Sequence, residues 1–311
     1  MRVIRDTSGV REFAGSPDAE RPVGLVPTMG YLHEGHLSLA RRAREECGSV
    51  VVSIFVNPLQ FGPAEDLDRY PRDEERDLRL AREAGADAVF LPAPEEMYPA
   101  GFTTEVRVRG LEDVLEGASR PGHFAGVATV LAKLLNLVGP DRMYMGQKDA
   151  QQAVVTRRMM RDLGFPARLV VCPTVREADG LAISSRNVYL SADEREAAAA
   201  IPKALSAAVD EALSTAGGSP AALAERLRER AKAELARESR LEMEYVSADD
   251  HETLGAVTGE TGEILLSCAA LAGGTRLIDN AVVRLEEDRP ANRPVLGSPS
   301  LAGGEESGAP L

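Results

Sequence analysis

Between residues 24 and 172 short apolar runs alternate with longer amphipathic ones, and this alternation limits the fold more than any other feature of the chain. The runs GLVP (24–27), SVVVSIFV (49–56), AVFL (88–91), RMYMG (142–146) and ARLVVC (167–172) have strand length. The second is rich in β-branched residues, as a strand buried on both faces should be. Helical patterns separate them over residues 32–47, 73–84, 127–138 and 150–163. Strands and helices in this order predict an α/β fold, a parallel sheet covered on both faces. Ligands of such sheets lie beyond the carboxyl ends of the strands. VPTMGYLHEGH (26–36), NPLQFG (57–62) and the residues after RMYM all fall at such ends.

The pattern changes after residue 186. Two Ala- and charge-rich helical stretches, 192–214 and 221–239, precede three strand-like runs: LEMEYVSA, GEILLSCAAL and TRLIDNAVV. Helices followed by strands predict a smaller α+β domain. The expected division is 1–174 for the larger domain and 175–285 for the smaller. The remaining 286–311, rich in Pro, Gly, Ser and acidic residues, cannot bury a core and is expected to be a disordered tail. No internal repeat is apparent.

Composition narrows the function. The net charge of −13 and the absence of tryptophan disfavour extended contact with nucleic acid, though not a phosphate-bearing small ligand in a locally basic pocket. No apolar run has the length of a membrane span, and the N-terminus lacks a secretory h-region. Three widely spaced cysteines, Cys47, Cys172 and Cys268, fit small buried residues in a reducing cytoplasm rather than a disulfide framework. The expectation is a cytoplasmic protein with no membrane and no nucleic-acid partner.

Half of the four histidines stand in one stretch, at His33 and His36. Three residues apart at a helix start, they share one side of its first turn, where free backbone N–H groups and the helix dipole favour an anion. Gly30 would supply the turn, and Gly35 would let a flat ligand approach the helix. A zinc pair and two surface histidines are the competing readings of this motif alone; zinc would need further ligands. In MGQKDAQQ (145–152), Lys148 offers a point charge for phosphate and Asp149 an acceptor for a ribose hydroxyl, or simply a helix cap. Gln151 and Gln152 at a helical start are expected to face solvent. In ADGLAISSRN (178–187), Ser184, Ser185 and Arg186 could close over a triphosphate, or the stretch could be a polar linker. Gln60 suits a small substrate carrying hydroxyls and a carboxylate. His123 reads equally as a support for the site or a buried structural residue, and His251 as a surface residue.

Together and in this order, VPTMGYLHEGH, SIFVNPLQFG, YPR, RPGHFAGVATVLAKL, GQKDAQQ, PTVREADGLAISSRN and YVSADD resemble the motif series of the pantoate–β-alanine ligase family, over residues 1–285. That family shares a nucleotidyltransferase superfamily with the class I aminoacyl-tRNA synthetases. Residues 33–36 resemble its HxGH signature, and residues 183–186 stand where the KMSKS-type loop lies. The resemblance implies a Rossmann-like N-terminal domain, a smaller C-terminal lid, a homodimer, and ATP with Mg2+. It also implies two steps: pantoate attacks the α-phosphorus of ATP to give pantoyl adenylate, and the β-alanine amine then displaces AMP. The residues implied for ATP are Met29, Gly30, Tyr31, Leu32, His33, Glu34, Gly35, His36, Gly146, Gln147, Lys148, Asp149, Val175, Ile183, Ser184, Ser185 and Arg186. The resemblance implies that His36, His33, Lys148 and Arg186 would carry the chemistry, His36 being the family's usual proton donor. Pro27, Met29, Gln60 and Gln152 would hold pantoate and β-alanine; the resemblance names no metal ligand. Ile183, Met145 and Ala150 depart from the family's commoner residues, and Tyr31 is bulkier than usual and expected to face outward. Rival readings are another nucleotidyltransferase of the same fold, a class I tRNA synthetase, or a non-catalytic nucleotide-binding regulator.

Overall fold

The computed structural model describes residues 1–63, 65–214, 218–286 and the pair 289–290. Six parallel strands form the first sheet: β1 (Arg2–Ile4), β2 (Val23–Thr28), β3 (Ser49–Ile54), β4 (Ala88–Phe90), β5 (Arg142–Gly146) and β6 (Arg168–Cys172), in the order β1-β4-β3-β2-β5-β6. The helices of this half are α1 (Thr7–Gly15), α2 (Glu34–Glu46), α3 (Glu74–Glu83), the single turns α4 (Pro94–Met97) and α5 (Glu116–Ser119), α6 (His123–Val138) and α7 (Ala150–Asp162). The period of two in β3 shows how the layers form. Val51 packs into the core shared with α1, α6 and α7, whereas Val50 and Val52 join the core shared with α2 and α3. Both faces are covered, so the strands read as continuous apolar runs.

Sequence reading misses β1 and α1. The strand has only three residues, two of them exposed, so its burial pattern is too short to show. Helix α6 starts earlier than its apolar pattern implies: Gly122 turns the chain at φ 84° and His123 is already helical and buried.

The second half contains α8 (Ala192–Ala198), α9 (Ala200–Ser214) and α10 (Pro220–Leu235). They precede an antiparallel sheet of β7 (Leu241–Asp250), β8 (Glu263–Ala272), β9 (Thr275–Glu286) and β10 (Arg289–Pro290), ordered β10-β9-β8-β7. The expected single helix over 192–214 breaks at Ala199 because Pro202 has no N–H to give Ala198 and its ring would meet that carbonyl. Strand β8 is covered on both sides: Ile264 and Leu266 pack with α9 and α10, and Leu265 joins the core of the first sheet. The expected disordered tail needs correction at its start, where Glu286 ends β9 and Arg289 pairs with it; residues 291–311 lie outside the described residues.

Candidate active site

The chain order reverses at the middle of the parallel sheet: β3 and β4 build out on one side of β2, then β5 joins on the other. Such a reversal leaves a crevice at the carboxyl ends. Here β2 and β5 pair only through Gly24–Arg142 and Leu25–Met143 and part beyond them. The cleft that opens, about 210 Å3, meets residues 27–36 on one wall, residues 145–152 on the other, and residues 173–186 across its mouth.

The histidine turn is held from outside its own stretch. Asp77, on α3 and 2% exposed, accepts from the backbone N–H groups of Tyr31 and Leu32, both at 2.7 Å. Gly30 has φ 84°, and a Cβ there would lie 2.9 Å from Asp77 Oδ2 and from Ile54; only glycine fits. The two imidazoles stack with centroids 4.0 Å apart. His36 Nδ1 accepts from the His33 N–H at 3.4 Å, which leaves the Nε2–H of the neutral ring free to donate. Burial pushes His36 down to about 4, with Asp149 opposing and Lys148 assisting. Burial, His36, Lys148 and Arg76 hold His33 down to about 2. Both rings are therefore neutral at pH 7, polar donors or acceptors rather than fixed cations. Gly35 is close-packed on the His33 ring, 2.9 Å from its Cε1 to a would-be Cβ, so its first task is to seat that ring.

Gln60 occupies the 3-10 turn Pro58–Gln60 and is 8% exposed. Asn57 Nδ2 donates to Gln60 Oε1 at 3.0 Å, and the Tyr98 hydroxyl donates to Asn57 Oδ1 at 2.7 Å. The Gln60 amide is thereby oriented with its NH2 toward Met29, 3.1 Å from the sulfur. Helix α6 meets this turn at Gly126, where a Cβ would lie 2.2 Å from the Leu59 carbonyl oxygen. Gly126→Ala should displace this turn and the Gln60 amide with it; steady-state KM for any substrate that Gln60 contacts should then rise about tenfold or more, and KM values that all stay unchanged would show that Gln60 contacts none. His123 lines the cleft and supports the same turn: Nδ1–H donates to the Gln60 carbonyl at 2.8 Å, while Nε2 accepts from Arg120 at 3.1 Å.

Across the cleft, the 3-10 turn Gln147–Asp149 follows β5 directly. Lys148 Nζ is 3.7 Å from Asp149 and 21% exposed. Asp149 makes no side-chain cap to α7 and is the one acidic side chain among the described residues lining the cleft. Gln151 departs from expectation: it is buried, accepting from the Glu116 N–H and donating to the carbonyls of Leu111 and Val114. Gln152, one residue on, faces the cleft.

The third wall is a narrow loop. Ile183 N–H donates to Val175 O and Glu177 N–H to Leu181 O, with Gly180 at the tip. At its base Arg176 makes a two-pronged ion pair with Asp279 at 2.6 and 2.9 Å, both groups buried. Ser185 is buried against the Tyr70 hydroxyl. Arg186 is forked onto Asp66 at 2.9 and 3.1 Å, so its guanidinium reaches the cleft already paired.

Of the residues expected at the site, the fold brings Pro27, Met29, His33, Gly35, His36, Gln60, Gly146, Lys148, Asp149, Gln152, Val175, Ile183, Ser184, Ser185 and Arg186 to one cleft. Gly30, Tyr31, Leu32, Glu34 and Gln147 do not line it. Leu32 is core, Glu34 pairs with Arg41, and Gln147 turns to Asn280. Tyr31 lies under the Arg76 guanidinium at 5.2 Å. His251 is not a free surface residue, being half-buried and paired with Glu263 at 2.7 Å. Among the described residues no group of three or more His, Cys, Asp or Glu side chains is arranged to hold a metal ion, so the fold does not gather around the two stacked histidines the further ligands a zinc site needs. Sequence reading missed Asp77, Asn57, Tyr70, Arg120 and Asp66. Asp77 did leave a signal, a carboxylate on the apolar face of a helical pattern that also buries Ala81.

A family model for pantoate-beta-alanine ligase matches residues 2–282. The chain is 52% identical to the pantothenate synthetase of Moorella thermoacetica over 92% of its length and all of the relative. It is 54% identical to that of Acidobacterium capsulatum, covering 85% of this chain and 86% of the relative. Among solved structures, pantothenate synthetase from Thermus thermophilus superposes with a TM-score of 0.83 at 48% identity, over 90% of this chain and 98% of that one. The pantoate-beta-alanine ligase of Francisella tularensis, complexed with beta-gamma ATP and β-alanine, superposes at 0.69 with 31% identity, over 90% and 97%.

Proposed function

The chain belongs to the pantoate–β-alanine ligase family, and from that premise we propose that its ATP-dependent condensation of pantoate with β-alanine runs in the cleft between β2 and β5, through a pantoyl adenylate. The observation that carries this placement is the convergence of His33 and His36, Lys148, and residues 184–186 on one cleft, with Gln60 and Gln152 lining it too. In the first step a pantoate carboxylate oxygen bonds to the α-phosphorus and the bond to the bridging oxygen breaks, releasing pyrophosphate. In the second the β-alanine amine bonds to the acyl carbon, AMP leaves, and the nitrogen loses a proton.

Neither step needs a protein nucleophile; both need alignment and charge stabilisation. Lys148 and the Nε2–H of neutral His36 face the leaving pyrophosphate, with His33 beside them. Arg186 joins when the phosphates displace Asp66 from its guanidinium. The Gln60 amide, pre-set by Asn57, and Gln152 hold the pantoate hydroxyls and carboxylate, with Met29 and Pro27 against its carbon skeleton. Backbone atoms of Gly146, Val175 and Ile183 lie where the ribose and adenine pass. Mg2+ fits this donor set, since it commonly takes one carboxylate with substrate phosphates and water, and Asp149 is the carboxylate that lines the cleft; when bound it would neutralise phosphate charge.

The reading also takes residues 1–174 as the nucleotide and pantoate domain and 175–285 as the lid, and places a homodimer in the cytoplasm. The three buried, unpaired cysteines support a reducing compartment, and no helix among the described residues is long and apolar enough to cross a membrane. The test is exchange of labelled pyrophosphate into ATP without β-alanine. Exchange that requires pantoate is the expected result; exchange indifferent to pantoate would refute the adenylate.

A further inference from the structure

We propose that Asn280 is a positioning residue for the turn Gln147–Asp149, its side-chain amide setting where Lys148 stands in the cleft. The inference deepens the reading of Lys148 as a phosphate-contacting group and rests on it. Asn280 lies on β9 of the antiparallel sheet and is 4% exposed. Its Nδ2 donates to the carbonyls of both Gln147 and Lys148, each at 2.9 Å, and its Oδ1 accepts from Gln147 Nε2 at 3.3 Å.

The turn has little else to hold it. Gly146 gives it no side-chain cap, and Asp149 gives none to the helix that follows. A single 3-10 turn is too short to fix its own geometry, since one turn closes few hydrogen bonds for the dihedrals it restrains. The side-chain bonds that steady its carbonyls come from 132 and 133 residues further along the chain. Only a primary amide offers two N–H donors and an acceptor from one planar group. A carboxylate of the same shape would set oxygen against two carbonyl oxygens.

The neighbouring residue extends the arrangement. The Asn280 N–H donates to Asp279 Oδ1 at 2.8 Å, and the Asp279 carboxylate is the group that receives Arg176 at the base of the 177–186 loop. One dipeptide of the antiparallel sheet therefore braces both nucleotide-facing segments, and a shift of β9 moves Lys148 and the loop together.

The test compares Asn280→Asp, Asn280→Ala, Lys148→Ala and the double variant Asn280→Ala/Lys148→Ala in pantoate-dependent pyrophosphate exchange. Asn280→Asp should lower kcat about 100-fold and Asn280→Ala about tenfold, with KM for pantoate within about twofold of the parent. If Asn280 acts through Lys148, removing it from the Lys148→Ala background should cost less than about twofold, a non-additivity that general loosening of the fold would not produce. Additive losses, or losses that fall equally on KM for pantoate, would overturn the proposal. So would full activity in both single variants of Asn280 while Lys148→Ala is impaired, which leaves the reading of Lys148 standing. Full activity in Lys148→Ala would remove that reading and the proposal with it. Should Asn280→Asp fail to fold, the Asn280→Ala arms decide alone.

Discussion

Lys148→Ala should lower pantoate-dependent pyrophosphate exchange by about 100- to 1,000-fold while leaving the melting temperature near that of the parent. The reason lies in what the ammonium does and does not touch. Its nearest charged neighbour is Asp149 at 3.7 Å, and the group is partly exposed, so removing it strands no buried counter-ion. Stability is therefore little affected, as for most exposed pairs. In the reaction, however, negative charge gathers on the departing pyrophosphate, and a pre-placed donor at such a point is typically worth two to three orders of magnitude, roughly 3–4 kcal/mol. The neutral state of His33 and His36 sharpens the dependence: burial holds His36 down to about 4 and His33 to about 2, so at neutral pH neither supplies a full charge in Lys148's absence. The discriminating measurement is the split between constants. A fall in kcat with KM for pantoate unchanged places Lys148 at the transition state, whereas a rise in KM for ATP alone would reduce it to uniform binding. Lys148→Arg should recover only part of the rate, because a planar fork does not occupy the position of a compact ammonium.

Arg176→Met is the second large effect, and it falls on stability first. The ion pair with Asp279 is buried on both sides, with side chains 6% and 1% exposed. Breaking such a pair from one side leaves an uncompensated charge in the interior, at a cost of about 3–5 kcal/mol. For a chain of this size that corresponds to a fall in melting temperature on the order of 10 °C. Thermal unfolding followed by circular dichroism measures it. Arg176→Met with Asp279→Leu should recover part of the loss, because replacing both charges removes the stranded one while leaving the Asn280 N–H without its acceptor. A single variant that melts with the parent would show that Asp279 finds another partner. Activity should fall with stability, since Arg176 stands at the base of the loop that carries Ser184 to Arg186.

The motifs at the strand ends were legible because they are local. His33 and His36, Lys148 with Asp149, and Ser184 to Arg186 are each short runs at the end of a strand or in the loop beyond one, and parallel topology sends such ends to one edge. Their roles were less legible. Gln147 belonged to the same motif as Lys148, yet it faces Asn280 and not the cleft. Gln151 and Gln152 are neighbours with the same side chain; helix geometry buries the first under the 111–116 segment and turns the second to the cleft. Arg186 stood out as a free donor in the sequence, and the fold pairs it with Asp66.

By itself the sequence determined the layered α/β class, the strands that build the crevice, the motifs that meet at its edge and, through their order, the ligase family. Hydrophobic period and turn chemistry act over a few residues, so they can be read from a few residues. Only the tertiary structure decided which polar groups hold those motifs in place. Asp77 reaches the histidine turn across 45 residues, Asp279 reaches Arg176 across 103, and Asn280 reaches Lys148 across 132. A buried N–H or carbonyl must find a partner wherever the packed chain brings one, and that search leaves no period in the sequence.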